Sequence, residues 1–424
     1  MKKTFFLYIS FFLISCSDKN TKQGYKDYPL IDIINSVEKY QRAYCSDYFS
    51  TIELIALETN EKCLLDIEPD PRIVLNDSLI LMRGSNDSQL YAFDQKGEFK
   101  YEIGRKGQGP GEYLKIGEVF FSTNKQTIYV VDFEKFLEYD FKGKYIRSFQ
   151  KPTPDDNSLY YFSNIGDNHF IGQVTYNGKN KYKYCLINQD GDTVKTFPNH
   201  IFFDKVGTGV STFDGALCPI HVDNQLYLKD YINDTIYSIT NFNMQPAYIF
   251  NFGEYSFSGL LDNSSPQTTR TGDSFILRQL IGFPNYFFYH IRVPELFNSP
   301  ETKPKFIRLI SHSQLIYEGY IPIGGVYGIY NIKEKNNILL DTDQYFQMGI
   351  INDINGGLPF VPRYYAGNGV VVDVWNVEYM KEMLTDEYFA SQTIKDQQSY
   401  QKLKELLKIM KDDDNPVVVI AKLK

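Results

Sequence analysis

Histidine is the side chain most often used for acid–base catalysis and a frequent zinc ligand, so the histidines are the first place to look for chemistry. The chain has five: His169, His200, His221, His290 and His312. None of them forms an HxH or HExxH pattern, so a helical zinc site is not indicated. No GxSxG elbow is present, because the nearest run of small residues, 207–211, lacks the strand-to-helix context of that motif.

Two pairs of carboxylates have a spacing that would suit acid–base or calcium chemistry. They are Glu68 with Asp70, and Asp341 with Asp343. Solvated loop ends explain such pairs more simply, since acidic residues are common in exposed connections. The sequence therefore predicts no catalytic residue, no metal and no cofactor.

A glycine-rich stretch, 104-GRKGQGPGEY-113, raises the question of phosphate binding. A Rossmann or P-loop site requires a strand, the glycine loop and then a helix. Here the following residues, 116-IGEVFFST-123, have a strand-like pattern, and no Lys-Ser/Thr pair closes the loop. We interpret the stretch as a crossing between two sheets, where glycine allows positive φ angles at low steric cost.

The elements that would position any site follow from a repeat. An aromatic-rich run, a turn and a second alternating run recur at 89–103, 136–149, 184–197, 236–250 and 327–340. The turn starts with Asp or Asn except in the fourth copy, which has Thr240 and lacks the glycine. Turns such as Asp94–Gly97 and Asp140–Gly143 suit a β-hairpin. Asp94, Asp140, Asn188 and Thr240 follow one another at intervals of 46, 48 and 52 residues.

A period of 40 to 50 residues in an all-β pattern is typical of one four-stranded sheet per repeat, as in a β-propeller. We predict five blades near 65–104, 113–150, 158–198, 212–253 and 303–342. The remainder must form a sixth blade. The best candidates for it are 357–375, the C-terminal run 416–424 and, from the N-terminal side, 50–58, so that both chain ends share one sheet.

Two insertions interrupt this pattern. The step from Thr240 to Asn331 spans 91 residues, so we interpret 254–302 as an insertion, with a further degenerate blade built on 275–291 as the alternative. Residues 376–414 change to helical spacing, with an apolar stripe at Leu403, Leu406, Leu407 and Met410. We expect this helical insertion to pack on its own propeller, and docking of a partner through the same stripe is the alternative.

The N-terminus has the features of an export signal. Lys2 and Lys3 precede an apolar run that is too short to span a bilayer, and the run ends in 13-LISC-16, which resembles a bacterial lipobox. We predict a signal peptide at 1–15, a lipid-bearing Cys16 with a polar tether over 16–27, and a single propeller domain over 28–424. A plain signal peptide or a buried N-terminal strand are the alternatives.

Charge and cysteine content restrict the partners and the redox chemistry. The full chain carries a net charge of −8, and removal of Lys2 and Lys3 leaves 42 basic and 52 acidic residues, or −10. This acidity argues against nucleic acid or an anionic membrane surface as a partner. Four cysteines would remain beside a lipidated Cys16, namely Cys45, Cys63, Cys185 and Cys218, and they can be free thiols or pair in three ways.

The chain resembles NHL-repeat propellers and, more closely, the six-bladed β-propeller lipoproteins of Bacteroidetes. The resemblance covers about residue 50 to the C-terminus, together with the lipobox at Cys16. It depends on 55-IALET-59, on the glycine-rich 104-GRKGQGPGEY-113 and on 352-NDINGG-357. It implies a propeller in the cell envelope, without implying an activity, and we expect this lipid-anchored protein at the outer membrane.

Propellers bind ligands at the mouth of the central channel, where inner strands begin and connecting loops converge. Arginine there offers bidentate contacts to carboxylate or phosphate, and tyrosine offers a ring for stacking. The candidate ligand-binding residues in such positions are Arg72, Arg105, Lys106, Glu112, Tyr113, Tyr160, Arg363 and Tyr364. Salt bridges and packing between blades are the alternative role for each.

The sequence thus favours a lipid-anchored, non-enzymatic propeller that binds a small ligand or an envelope protein. One alternative is a propeller enzyme, a hydrolase or lyase acting on a glycan, lactone or peptide. Another is a structural subunit of an outer-membrane complex. The missing catalytic motif favours the first and the last of these three.

Overall fold

A computed structural model of the chain describes residues 28–65, 72–84, 88–122, 126–166, 169–175, 179–200, 202, 218–222, 225–229, 233–256, 274–294, 296–297, 305–311, 314–321, 325–343 and 347–424. The signal peptide, Cys16 and the tether lie outside the described residues. Among the described residues, no helix combines the length and apolar composition needed to cross a bilayer.

Most of the described chain is in short strands that end at tight turns. The strands are β1 (Leu30–Asp32), β2 (Tyr40–Gln41), β3 (Phe49–Ala56), β4 (Arg72–Leu75), β5 (Ile80–Arg83), β6 (Leu90–Phe93), β7 (Phe99–Glu102), β8 (Val119–Ser122), β9 (Thr127–Val131), β10 (Lys135–Asp140), β11 (Tyr145–Gln150), β12 (Leu159–Ile165), β13 (His169–Val174), β14 (Tyr182–Asn188), β15 (Thr193–Pro198), β16 (Cys218–Val222), β17 (Gln225–Lys229), β18 (Thr235–Thr240), β19 (Asn243–Asn251), β20 (Ile276–Phe283), β21 (Tyr286–Arg292), β22 (Lys305–Ser311), β23 (Gln314–Ile321), β24 (Val326–Asn331), β25 (Asn336–Leu340), β26 (Tyr364–Gly367), β27 (Val370–Trp375) and β28 (Val417–Leu423). The α-helices of the described residues are α1 (Cys45–Tyr48), α2 (Val377–Met383), α3 (Asp386–Ser391) and α4 (Gln397–Ile409).

The strands form a six-bladed β-propeller, which confirms the predicted fold class. Blades one, two and three are β4–β7, β8–β11 and β12–β15, each in simple order from the inner to the outer strand. Blade four contains β16–β19, blade five contains β20, β21, β24 and β25, and blade six contains β26, β27, β28 and β3. The buried apolar residues of neighbouring blades pack face to face around the ring.

Strands from both chain ends close the ring in blade six, as predicted. The C-terminal β28 pairs antiparallel with β27 on one side and with the N-terminal β3 on the other, with Val418 opposite Ile55 and Val419 opposite Leu54. The valines of β28 are fully buried. Because β28 has a partner on both sides, its apolar run is not an exposed edge.

The repeated hairpin turn has a structural role between blades. Gly97, at φ +86°, lies so close to the outer strand of blade six that a Cβ atom would come within 2.1 Å of the Ala56 carbonyl oxygen. The Glu58 amide donates to the Gly97 carbonyl at 2.8 Å. Each of these glycine turns therefore packs on the outer strand of the preceding blade, which explains why the turn recurs.

Blade five requires a correction to the predicted boundaries. Residues 276–292, which fall inside the expected insertion 254–302, form β20 and β21, the two inner strands of blade five. The inserted element is instead the hairpin β22–β23, which lies between β21 and β24 in the sequence and forms a separate two-stranded sheet. The error arises because the repeat signature marks the third and fourth strands, so an insertion after the second strand divides the blade.

The helical insertion of blade six packs on its own propeller. Leu403 is fully buried and Met410 nearly so, in a cluster shared with Ile52 of β3 and Val419 of β28. Leu406 and Leu407 pack against the same cluster. Asn376 caps α2, Thr385 caps α3 and Asp396 caps α4, each by accepting from backbone N–H groups of the first turn. The apolar stripe is thus used within the molecule.

An N-terminal strap, defined here as residues 28–48, surrounds part of the ring. Strand β1 pairs in parallel with β19, the outer strand of blade four, and β2 pairs in parallel with β25, the outer strand of blade five. The strap buries Ile31 and Ile33 completely before the chain enters blade six at β3. Cys45 in the strap is a free, buried thiol, as are Cys63 and Cys185.

Candidate functional site

A channel of about 900 Å³ runs along the centre of the propeller, and the inner strands of all six blades line it. Each blade contributes at least one side chain that can form hydrogen bonds. In ring order from blade one to blade six these include Arg72, Glu118, Ser163, His221, Gln279 and Tyr364. The channel can therefore surround a polar molecule from every side.

The basic mouth of this channel is defined by Arg72, Arg83, Glu118, Arg363 and Tyr364, from blades one, two and six. Arg72 and Tyr364 begin inner strands and Glu118 directly precedes one, so the three lie at the same end of the channel. The side chain of Arg72 is 54% exposed, and its nitrogen lies 3.9 Å from the Glu118 carboxylate. This separation is too long for a hydrogen bond, so the Arg72 guanidinium keeps donors for a ligand.

Arg83 is held in place by the backbone of the neighbouring blade. It pairs with Arg72 in the register of β4 and β5, and its guanidinium donates to the carbonyls of Ile116 and Gly117. The residue is only 6% exposed. Its charge therefore lies close behind Arg72 and adds to the positive potential of the mouth.

Blade six supplies Arg363 and Tyr364. The Arg363 side chain donates to the buried Asp373 carboxylate at 3.0 Å, and Asp373 also accepts from Trp375 and from the amides of Val361 and Val374. Burial raises the pKa of Asp373, against the lowering effect of Arg363. Burial also raises the pKa of Tyr364 to about 12, so its phenol remains a neutral donor at physiological pH.

A serine and a histidine meet on the opposite wall of the channel. The Ser163 Oγ of blade three lies 3.1 Å from the His221 Nε2 of blade four. The His221 ring faces the interior of the channel, and burial there lowers its pKa, so the imidazole is neutral at pH 7. Ser163 is only 2% exposed. Among the described residues, no carboxylate hydrogen-bonds to the His221 ring.

The glycine-rich loop holds a different group of the predicted residues. The Glu112 carboxylate accepts from the Gly109 amide at 2.9 Å and from Arg105 at 2.7 Å, and these two donors lower its pKa. A Cβ atom on Gly107 would lie 2.1 Å from that carboxylate, so a larger residue there would displace the Glu112 side chain from its present position. Arg105 and Glu112 thus stabilise the loop, and neither lines the channel.

Tyr113 and Lys106 are also set apart from the channel. Tyr113 is fully buried and donates to the Ile103 carbonyl at 3.1 Å, so the expectation that it faces a ligand is corrected. Its aromatic ring fills the core between blades one and two. Lys106 is exposed on the glycine-rich loop, opposite Tyr113 in an isolated bridge. Tyr160, half-buried at the start of β12, lies at the rim of the channel outside its lining.

The structure thus brings Arg72, Arg363 and Tyr364 together and leaves Arg105, Lys106, Glu112, Tyr113 and Tyr160 apart from them. Sequence reasoning did not identify Arg83, Glu118 or His221 as site residues. A signal existed for Glu118, which directly precedes the inner strand β8. Whether Arg83 and His221 face the channel depends on the register of their strands, and the register cannot be predicted from the sequence pattern.

The described residues contain no cluster of three or more His, Cys, Asp or Glu side chains that could hold a metal ion. The charged side chains that line the channel are Arg72, Arg83 and Arg363 together with the carboxylate of Glu118.

Comparisons with solved structures agree with the propeller fold. A protein of Bacteroides fragilis NCTC 9343, provisionally described as exported, superposes with a TM-score of 0.64 at 18% identity, over 93% of this chain and 99% of that one. A member of the DUF4221 family from Bacteroides vulgatus has a TM-score of 0.48 at 10% identity, over 89% and 97% of the two chains. At these identities the first similarity supports the fold alone.

Sequence comparison identifies the family. No curated protein sequence matches the chain. A family match does extend over residues 28–422, from the first strap residue almost to the end of β28. The chain therefore belongs to the family described as Domain of unknown function (DUF4934).

Proposed function

We propose that this protein is a non-enzymatic binding module that takes a small anionic molecule into its central channel. The observation that carries the proposal is the basic mouth, where Arg72, Arg83 and Arg363 face a cavity of about 900 Å³. A cavity of this size suits a small molecule, and concave sites with a few convergent polar groups are the usual place for ligands.

The three arginines have different roles in this proposal. Arg83 and Arg363 are already fixed by backbone carbonyls and by Asp373, so they supply charge at a set position. Arg72 is the most exposed of the three and its acidic neighbour is 3.9 Å away. Arg72 is therefore the group that contacts the ligand, by a bidentate pair of hydrogen bonds to a carboxylate or phosphate.

The experiment is a calorimetric titration of the purified protein with inorganic phosphate and, separately, with citrate. Arg72→Ala should weaken binding at least tenfold, and Arg72→Lys should restore it only in part because lysine lacks the planar fork. Arg105→Ala is the matched control, since Arg105 is 76% exposed on the glycine-rich loop and does not line the channel. Equal loss in both alanine variants, or no anion binding by the wild type, would refute the proposal.

We also propose that the module is a lipoprotein of the bacterial cell envelope, anchored through Cys16 at the outer membrane. The lipobox-like 13-LISC-16 supports this, and so does the polar stretch that separates it from the strap. Metabolic labelling with radioactive palmitate tests it: wild type should incorporate the label, and Cys16→Ala should not. Incorporation by Cys16→Ala would contradict the assignment. Besides the membrane, we propose an envelope protein that docks on the module as a partner.

One observation favours an enzyme as the second candidate. The Ser163–His221 pair has the separation of a nucleophile and its general base. Ser163 is 2% exposed and the described residues supply no carboxylate to orient the imidazole, so we place binding first. Hydrolysis of a p-nitrophenyl ester that is lost in both Ser163→Ala and His221→Ala, with retained folding, would reverse this order.

A further inference from the structure

An aromatic pair, with one ring exposed and the other half-buried, lies on the rim at the same end of the ring as the basic mouth. Phe133, at the turn between β9 and β10, is 56% exposed, which is unusual for so large an apolar side chain. Its ring stands edge-on to the ring of Tyr160 at the start of β12, with centroids 6.4 Å apart and an interplanar angle of 66°. The two residues belong to blades two and three, so the pair bridges a seam of the ring.

The turn that carries Phe133 is fixed by its own backbone contacts. The Asp132 carboxylate is 5% exposed and accepts from the amides of Leu114, Lys115 and Phe133 at 3.2, 3.0 and 2.7 Å. These hydrogen bonds tie the turn to the loop that leads into blade two. Phe133 is therefore held outward by an ordered backbone, and binding to its ring would cost little ordering of the chain.

Lys151 connects this rim to the channel. Its ammonium lies 5.6 Å from the Tyr160 ring and 5.4 Å from the Phe162 ring, and it donates to the Leu159 carbonyl at 3.2 Å. Burial lowers the pKa of Lys151 to about 8, while the carboxylates of Asp132 and Glu134 act in the opposite direction, so the ammonium stays largely protonated at pH 7. Phe162 belongs to the channel lining although it is only 2% exposed, so Lys151 links the Tyr160 ring at the rim to the inner strand of blade three.

The chemistry of this surface is that of a receptor for a polyhydroxylated acid. Inside the channel, hydrogen-bonding side chains come from all six blades, including Ser163, Gln279 and Tyr364. The basic mouth supplies the counter-charge for an acid group. The rim supplies the exposed ring of Phe133 beside the half-buried ring of Tyr160, on which the apolar C–H face of a pyranose can pack while its hydroxyl groups remain hydrated.

We propose that the ligand is an acidic oligosaccharide, whose terminal acid group binds at Arg72 and whose next sugar ring packs on Phe133 and Tyr160. This inference deepens the proposed function and rests on it, since the acid group occupies the basic mouth. It assigns to Phe133 and Tyr160 the recognition of ligand length, and to the arginines the recognition of charge.

The test is calorimetric titration with galacturonate oligomers of one to four units and with the matching neutral galactose oligomers. Wild-type affinity should rise with the length of the acidic series and be at least tenfold weaker for the neutral series. Phe133→Ala should weaken binding of the acidic tetramer about tenfold, which corresponds to about 1.4 kcal/mol, and leave the monomer unchanged. Ile146→Ala is the matched control, because Ile146 is 48% exposed on the outer strand of the same blade.

The outcomes separate this inference from the proposed function. If phosphate and citrate bind at Arg72 but Phe133→Ala leaves every oligomer unchanged, or neutral oligomers bind as well as acidic ones, the saccharide inference is overturned and anion binding survives. If no anion binds, both are overturned. Thermal melting of Phe133→Ala should match the wild type, since the side chain is exposed, so a loss of affinity reports on the ligand contact.

Discussion

Blades one to three and blades four to five protect their outer edges in different ways. In blades one and two the outer strand is covered by the turn of the next hairpin: Tyr101 donates to the Phe141 carbonyl, and Arg147 donates to the Gln189 carbonyl at 3.0 Å. In blades four and five a segment of the N-terminal strap pairs with the outer strand instead. An uncovered edge would present free N–H and C=O groups to other chains, so both arrangements meet the same requirement.

The difference is linked to the turns. Gly97, Gly143 and Gly191 occupy the hairpin turns of blades one to three, each with positive φ and each in close contact with the preceding blade. The corresponding turn of blade four has Asn241 and Phe242 with φ of 50° and 59°, without a glycine, and it still contacts the outer strand of blade three, since Lys195 donates to the Phe242 carbonyl at 2.8 Å. Where the strap lies between blades, Asn337 of blade five contacts Asp32 and Ser36 of the strap. The strap thus takes the place of a direct contact between turn and edge.

Among the changes that test this difference between the blades, removal of the strap should destabilise the protein most. A chain that begins at residue 42 loses β1 and β2 and the buried side chains of Ile31, Ile33 and Val37, which contribute roughly 4 to 9 kcal/mol together. We expect hydrogen exchange in β19 and β25 to accelerate strongly, with β7 and β11 much less affected. Leu30→Ala in the intact chain, where Leu30 is 42% exposed, should change little. Full protection of β19 in the truncated chain would show that the strap is dispensable.

The contacts that close the ring support blades one to three as well as blades four and five. Their loss should cause the second-largest destabilisation. Asn415 is 1% exposed; it accepts from the Leu65 amide at 2.8 Å and donates to the carbonyls of Glu58 and Cys63 at 2.7 Å. Asn415→Ala leaves these groups without their partner, at a cost of about 3 kcal/mol. Urea unfolding should show this loss for the whole ring, whereas Asn35→Ala on the strap surface should cost under about 0.5 kcal/mol. A loss confined to one half would mean that the ring does not unfold cooperatively.

A substitution in the glycine turns tests the other arrangement. Gly97→Ala places a Cβ atom 2.1 Å from the Ala56 carbonyl oxygen and adds strain at φ +86°, so we expect a loss of about 2 to 3 kcal/mol. Gly367→Ala is the matched control, because φ is +85° and no atom lies within 4 Å of the added Cβ. Only the strain of about 1 kcal/mol should remain there. If thermal unfolding shows the same loss of stability in both variants, the close contact between blades is not the cause of the loss in Gly97→Ala.

The smallest effect concerns the end of the strap. The buried Asp353 accepts from the amide and hydroxyl of Ser46 at 2.9 and 2.6 Å and lies 2.7 Å from Lys395. Burial raises the pKa of Asp353, but Lys395 and Ser46 outweigh that effect and the pKa lies below its usual value. A lowered carboxyl pKa stabilises the fold above the unfolded pKa of about 3.9, and this is lost as the pH falls through the folded value.

Asp353→Asn should therefore destabilise the protein by about 1 to 2 kcal/mol at pH 7, and the difference from wild type should shrink below about pH 4. Chemical unfolding at pH 7 and at pH 3 measures it. The matched control is Glu53→Gln, since Glu53 forms an ion pair with Lys422 in which both side chains are about half exposed. A deficit of the same size at both pH values would exclude the carboxylate charge as its cause.

The sequence predicted the blades where the local pattern is strong. Alternating strands and Asp-x-x-Gly turns are properties of neighbouring residues, and closure by β3 and β28 followed from the need to pair an apolar C-terminal run. The sequence pattern did not predict the strap, because β1 and β2 have only three and two residues and are too short to show a periodicity. Their position depends on outer strands that are distant in the sequence.

The positions of the candidate site residues were predicted in part for the same reason. Arg72 and Tyr364 begin inner strands, so the propeller hypothesis placed them and Arg363 at a channel mouth. Tyr113 was misplaced because the glycine-rich loop folds back and buries its ring, a result of tertiary packing. His221 meets Ser163 across a seam between two blades, and no pattern within either strand indicates that contact.

The order of the strap contacts determines how the molecule responds to tension at its N-terminus. A pull first reaches three parallel residue pairs at β1, then two at β2, then the Ser46–Asp353 hydrogen bonds, and only then the eight-residue strand β3 inside the closed ring. These contacts can be released one after another, which frees about 70 Å of chain before the load reaches β3. Extension of the strap would therefore protect the ring from force applied at the N-terminal side, and the channel would stay intact while the strap extends.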